Sequence, residues 1–260
     1  MTYTAFKANE RTAKRVRAIV PQLIAAADDA LNTGALADVA YRPAFPLLAG
    51  WWQFTNRTAD AMLTLYDAGH GAVAAPLMRN LIGHAYAMHW LVDNGQPAVD
   101  AVEWASWNGR RKLLDNLIEV DWKLPDEGVD IGKEPAFEHT EAEAKRHKRL
   151  IGEIDKFVNL VRAYGDSILY PVYRNLSGYT HTTELTAATF VEQDDDGRIT
   201  VHREERTDRL VDICWMVVPL LQAASVMSPV LTTGKPLKQL VIKACGDLGL
   251  PEDLLPRRRK

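Results

Sequence analysis

Apolar residues recur along most of the chain at intervals of three and four, the spacing that gathers them on one side of an α-helix. In the first such stretch, about Asn9 to Asn32, Ile19, Leu23, Ala26 and Ala30 form a stripe, and Thr33-Gly34 supplies a glycine stop. An irregular stretch with Pro43 and Pro46 follows. A second helix then runs from about Trp51 to Asp67, closed by the turn Ala68-Gly69-His70-Gly71. The third, about Val73 to Asp93, carries Leu77, Leu81, Ala85, Met88 and Leu91 at helical spacing and stops at Asn94-Gly95. Pro97 suits the first turn of a fourth helix reaching about Val120, because a first-turn amide has no intrahelical partner to lose.

Residues 122–139 hold Pro125, Gly128, Gly132 and Pro135 and read as a loop or linker. Thr140, with Glu143 three residues on, is a capping box for a fifth helix from about Glu141 to Ala163. Its Lys145–Arg149 run reads as a solvated face. Gly165-Asp166-Ser167 separates it from a sixth helix. Further on, Leu185 to Val191 and Arg198 to Val201 flank Asp194-Asp195-Asp196-Gly197, which predicts a β-hairpin within residues 185–203. A seventh helix from about Thr207 aligns Leu210, Ile213, Cys214, Val217, Val218 and Leu221, with a kink expected at Pro219. A last helix covers about Pro236 to Asp247. These elements predict an all-α fold: an antiparallel helical bundle of seven to eight helices with a small β-hairpin insertion, as a single helical domain over residues 1–260.

Composition changes this picture little. With 47% hydrophobic and 25% charged residues the chain lies in the globular range. A net charge of −3 gives no whole-protein attraction to nucleic acid, so any polyanion must meet a local patch. Cys214 and Cys245, both in apolar helical patterns, read as reduced thiols. The charged Met1–Arg17 segment does not resemble a secretory signal. Ile213 to Gly234 has no charged residue and is long enough to span a bilayer, but Pro219, Gln222, Ser225, Ser228 and Pro229 favour a buried core helix. The expectation is a soluble, cytoplasmic protein with no membrane partner.

Candidate chemistry gathers in Arg174-Asn175-Leu176-Ser177-Gly178-Tyr179-Thr180-His181. On one continuous helix Arg174 and His181 fall within about 20° of the same direction, with Ser177 and Tyr170 on that face. An imidazole that titrates near neutrality and a permanently charged guanidinium are the two groups that metal-free RNA cleavage needs. The imidazole moves protons while the guanidinium steadies charge on phosphorus. Catalysis is therefore assigned to Arg174 and His181, with Asn175, Ser177 and Tyr170 orienting them.

Arg followed by Asn175, with six residues between Arg174 and His181, is similar to the signature of HEPN domains. The resemblance implies a helical domain, dimerisation across the motif, and metal-independent endoribonuclease activity of a toxin or defence type. RNA and a second copy of the chain would then be the partners, with no cofactor. The segment also resembles a broader bacterial helical group carrying Tyr-Arg-x-Leu-Ser-x-x-x-His, from which no activity carries over.

Other readings stand beside this one. In the structural alternative, His181 caps the sixth helix, Arg174 pairs with an acid such as Glu184, and Ser177 bonds back into its own helix. The protein is then a non-catalytic helical interaction or scaffold protein. A small-molecule binder with a tryptophan-rich interior is a third class. Arg79-Asn80-Leu81-Ile82-Gly83-His84 matches the same pattern with a gap of four, but on a straight helix its Arg and His diverge by about 140°. His84 and His89 read as core or interface histidines. Trp104 and Trp107, one turn before Arg110 and Arg111, form a candidate stacking surface for RNA. The basic groups Arg11, Lys14, Arg15 and Arg17, and Arg257 to Lys260, read as solvated faces or tails. No HExxH, paired-cysteine or paired-carboxylate arrangement is present, so no metal is expected. EDTA should accordingly leave a strongly helical circular dichroism spectrum and its melting temperature unchanged; loss of helix on chelation would reveal a metal site.

Overall fold

The computed structural model describes residues 5–32, 36–125, 128–137, 140–164, 169–206 and 209–258. It is an all-α bundle with one small antiparallel sheet. Four long helices come first: α1 (Glu10–Asn32), α2 (Phe45–Asp67), α3 (Gly71–Asn94) and α4 (Gln96–Glu119). After an irregular stretch come α5 (Glu141–Asp155), α6 (Phe157–Ala163), α7 (Leu169–Ser177) and the short α8 (Glu184–Ala188). The strands β1 (Val191–Gln193) and β2 (Ile199–Val201) lead to α9 (Leu210–Trp215), α10 (Val217–Val230) and α11 (Lys235–Leu248).

Local chemistry sets most of these boundaries. Thr140 and Glu143 form the expected capping box, the Glu143 carboxylate accepting from the Thr140 amide at 2.8 Å. Gly249, at φ 70°, closes α11 in the left-handed conformation that glycine adopts without steric cost. Gly234 is required by space: a Cβ there would lie 1.8 Å from the Ser228 carbonyl oxygen. In the hairpin Val191 pairs with Val201 and Gln193 with Ile199, and the Asp194 carboxylate accepts from the amides of Asp196 and Arg198.

Several expectations need correction. α2 begins at Phe45, six residues before Trp51, because Pro46 occupies its first turn, where a missing amide costs nothing. The fifth expected helix divides at Lys156, whose backbone is extended; the Asn159 side-chain amide donates to the Gly152 carbonyl that the break leaves open, at 2.8 Å. Leu185 to Ala188 is a helical turn, capped by Thr183, so the hairpin is shorter than expected. The seventh expected helix divides into α9 and α10 at Met216, since Pro219 has no amide hydrogen for the Trp215 carbonyl. The Thr33-Gly34 stop, the Gly165–Ser167 break and the Thr207 start lie outside the described residues.

α10 occupies the centre and packs against α1, α2, α3 and α11. Every residue of α10 except Ser225 and Pro229 is buried. By length and composition Leu210–Val230 would cross a bilayer, but here its apolar surface is spent inside the bundle. Its polar groups find partners there: the Gln222 amide donates to the Leu254 carbonyl at 2.9 Å and the Ser228 hydroxyl to the Gly234 carbonyl at 3.2 Å.

The chain's end is fastened to α3 and α5. Glu153, only 6% exposed, accepts from the Trp90 indole at 2.9 Å and from the Arg258 guanidinium at 2.6 Å. A ring nitrogen of His89 lies 2.7 Å from the Pro256 carbonyl, and a carbonyl only accepts, so that Nε2 carries the hydrogen. The Tyr164 hydroxyl donates to Asp93 at 2.9 Å. Arg258→Ala leaves a buried carboxylate short of its counter-charge. It should cost about 3 kcal/mol, read as a melting temperature lower by about 6–12 °C, and adding Glu153→Gln should recover part of the loss.

Stability should also fall in alkali. Burial, aided by Glu252, pushes the Cys245 thiol from an ordinary 9.0 up to about 11. Burial and then Asp93 raise the Tyr164 phenol beyond its usual range. Both groups keep their protons longer in the folded chain than in the unfolded one. The Cys245 contribution is complete below pH 9 and is lost as pH climbs toward 11, and the Tyr164 contribution begins to fall above its ordinary 10.0, so urea midpoints measured between pH 8 and 11 should decline.

Candidate functional site at the α3–α7 junction

α7 is amphipathic, and its two sides have separate tasks. Leu169, Tyr170, Tyr173 and Leu176 pack against the core, Leu176 at 2% exposure. Pro171, Val172, Arg174 and Asn175 face outward. α7 and the 3-10 turn after it lie against α3. Tyr173 is the centre of that contact. Its ring stacks on Phe157 at 3.9 Å and 22°, and the Arg79 guanidinium lies over it at 4.6 Å. Gly83 borders the ring as well, though a Cβ there would lie 4.0 Å from it, at ordinary contact distance. Burial raises the Tyr173 phenol, Arg79 pulls it back, and Tyr170 adds to the rise.

The helix does not continue to His181. After Ser177 the backbone tightens into a 3-10 turn over Gly178–Thr180, and His181 follows in an extended conformation. Side-chain hydroxyls take up the carbonyls at this helix end. Ser177 donates to Tyr173 at 2.8 Å, Thr180 to Ser177 at 2.7 Å and Thr183 to Gly178 at 3.0 Å. The single helical stripe expected from the sequence is therefore broken between Ser177 and His181. The Ser177 hydroxyl is bonded back into its own helix, and Tyr170 packs on the core. Arg174, Asn175 and His181 are all exposed. Among the described residues, none of the three has a hydrogen bond, ion pair or ring contact. The alternative pairing of Arg174 with Glu184 is not formed, and the His181 imidazole caps no helix.

The structure adds a residue that sequence spacing set aside. Arg79 is half-buried, its Nε is buried with no hydrogen-bond partner, and no carboxylate pairs with it among the described residues. The signal was present in the chain: Arg79-Asn80-Leu81-Ile82-Gly83 and Arg174-Asn175-Leu176-Ser177-Gly178 share the pattern Arg-Asn-Leu-x-Gly. Both leucines are buried, and the helices that carry them pack together. His84 turns away from Arg79, its ring lying 4.7 Å from that of Phe54 and its Nδ1 2.8 Å from the Asn80 carbonyl. Nδ1 therefore bears the hydrogen, and Nε2 holds the lone pair of the neutral ring.

Several of the other candidates are tied into the fold. Trp107 is buried and donates to the Gly132 carbonyl at 3.2 Å, with Arg111 over its ring at 5.4 Å, so it offers no platform for a base. Arg15 donates to the Asp247 carbonyl at the end of α11, and Arg17 pairs with Asp67 at 3.0 Å.

Residues 46–198 match the model of a family described as a family of unknown function (DUF5677). The match runs from α2 to the hairpin turn, so it includes Arg79, Arg174 and His181 and leaves out α1 and α9 to α11. No curated protein and no solved structure matches the chain.

Proposed function

We propose for this chain, which belongs to the DUF5677 family, a metal-independent endoribonuclease activity with Arg174 and His181 as its catalytic residues. The supporting observation is that both are exposed and, among the described residues, held by no internal partner, on either side of a turn fixed by hydroxyl–carbonyl bonds. A guanidinium and an imidazole with no structural employment suit a ligand that arrives from solvent.

In this reading neutral His181 takes the proton of an RNA 2′-hydroxyl as that oxygen attacks phosphorus. The bond to the 5′-oxygen breaks, and the proton passes to the departing oxygen, leaving a cyclic phosphate and a free 5′-hydroxyl. Arg174 holds the non-bridging oxygens as charge accumulates on them, a role its planar fork suits. Asn175 contributes a second donor beside it. Ser177 and Tyr170 act from beneath, the first by fixing the helix end and the second by packing α7 on the core. The HEPN-like pattern further suggests a homodimer that presents two such pairs. Cys214 and Cys245, both buried as thiols rather than joined in a disulfide, suit the reducing cytoplasm.

One observation favours the non-catalytic reading: Ser177 and Tyr170 are occupied by packing and backbone bonding rather than by Arg174 or His181. In that reading α7 is an interaction surface. Kinetics separate the two. His181→Ala and Arg174→Ala should each slow cleavage of a single-stranded RNA by roughly 10²-fold or more, with melting temperatures within a few degrees of wild type. Wild-type protein that cleaves no RNA, or variants that cleave as wild type does, would overturn the nuclease proposal.

A further inference from the structure

Four arginines are partly buried among the described residues, and three of them have a carboxylate: Arg17 pairs with Asp67, Arg209 with Asp212, and Arg258 with Glu153. The fourth, Arg79, has none. The comparison with Arg209 is the closest, because each lies over a tyrosine, Arg79 over Tyr173 at 4.6 Å and Arg209 over Tyr179 at 4.5 Å. Arg209 also donates to the Tyr179 hydroxyl and to Asp212, so its fork is fully used inside the fold. Arg79 has the same stacking contact without any hydrogen-bond acceptor, and its Nε is buried and unmatched. A desolvated donor with no acceptor and a half-buried charge with no counter-charge both work against folding. Departures of this kind from local consistency gather where a ligand completes the site.

The surroundings narrow the ligand. Phe157 stacks on the Tyr173 ring that also carries Arg79, so a nucleobase gains no open tyrosine face here. What the half-buried Arg79 can still offer is its pair of terminal nitrogens, which match two anionic oxygens. Arg174 follows Tyr173 in the chain, and the turn before His181 packs on the same helix α3.

We infer that Arg79, set on Tyr173, is a phosphate-binding residue that holds a polynucleotide backbone beside the Arg174–His181 pair. This assignment rests on the reading of α7 as an RNA-facing element, but it concerns binding and not the chemical step. Arg79 is a positioning residue that acts through a phosphate other than the one being cleaved.

The test uses two probes that cannot be cleaved through a 2′-hydroxyl: a fluorescent, fully 2′-O-methylated oligonucleotide and inorganic pyrophosphate. Arg79→Gln should weaken oligonucleotide binding at least tenfold and lower the slope of log affinity against log salt by about one. Arg79→Lys keeps the charge and the fold but loses the fork, and should fall between Arg79→Gln and wild type. Pyrophosphate should raise the melting temperature of the wild type, and not that of Arg79→Gln. A merely structural Arg79 would lower the melting temperature of Arg79→Gln while leaving affinity and salt slope unchanged, which overturns the inference. So does wild-type protein that binds neither probe. Probe binding that depends on Arg79, with no RNA cleavage by the wild type, upholds the phosphate site and removes the nuclease.

Discussion

Burial of the uncharged helix α10 among α1, α2, α3 and α11 is the constraint on which the remaining arrangement depends. A helix with nearly every side chain apolar must be enclosed on all sides, and each fully buried large side chain contributes roughly 1.5–3 kcal/mol relative to exposure. Enclosure explains the long antiparallel hairpin of α2 and α3 on one side of α10 and the packing of α1 and α11 on others. It also explains why the few polar groups of α10, such as Gln222 and Ser228, bond to backbone carbonyls of the closing segments. The break at Met216, enforced by Pro219, lets α9 turn toward α1.

Once α3 is committed to α10 along one face, its other face carries α6 and α7. The join is made by rings in sequence: Tyr173 stacks on Phe157, Phe157 meets Tyr86 edge-on at 5.9 Å, and Tyr86 meets Tyr164 at 6.4 Å. One end of this series is closed by a carboxylate-paired arginine, Arg258 above Tyr164. The other end is Arg79, which has no carboxylate among the described residues. The asymmetry separates a fastening from the candidate site. At the Arg258 end both terminal nitrogens of the guanidinium meet acceptors of the chain, while among the described residues Arg79, Arg174 and His181 meet none.

The site was only partly legible in the chain. Arg174, Asn175 and His181 could be selected because their side-chain types and spacing carry chemistry, and they do lie exposed. Their arrangement could not be read, because a helical wheel assumes a continuous helix. Gly178 and the hydroxyls of Ser177, Thr180 and Thr183 support a tighter turn and an extended exit instead. Arg79 was set aside on the same helical-wheel reasoning, applied to His84 as its partner. Its relevant neighbour, Tyr173, is 94 residues away in sequence and becomes visible only when α7 packs on α3.

By itself, the sequence determined the all-α class, the positions of most helix ends, the turn of the hairpin and the burial of the charge-free segment. Each of these depends on neighbours within about four residues: apolar periodicity, a capping hydroxyl, a proline in a first turn, or a glycine at positive φ. Only the tertiary structure decided which arginines are paired and which are left with open donors. Whether a guanidinium finds a carboxylate depends on which helices meet, and that is set by the burial of apolar faces, not by the charge itself.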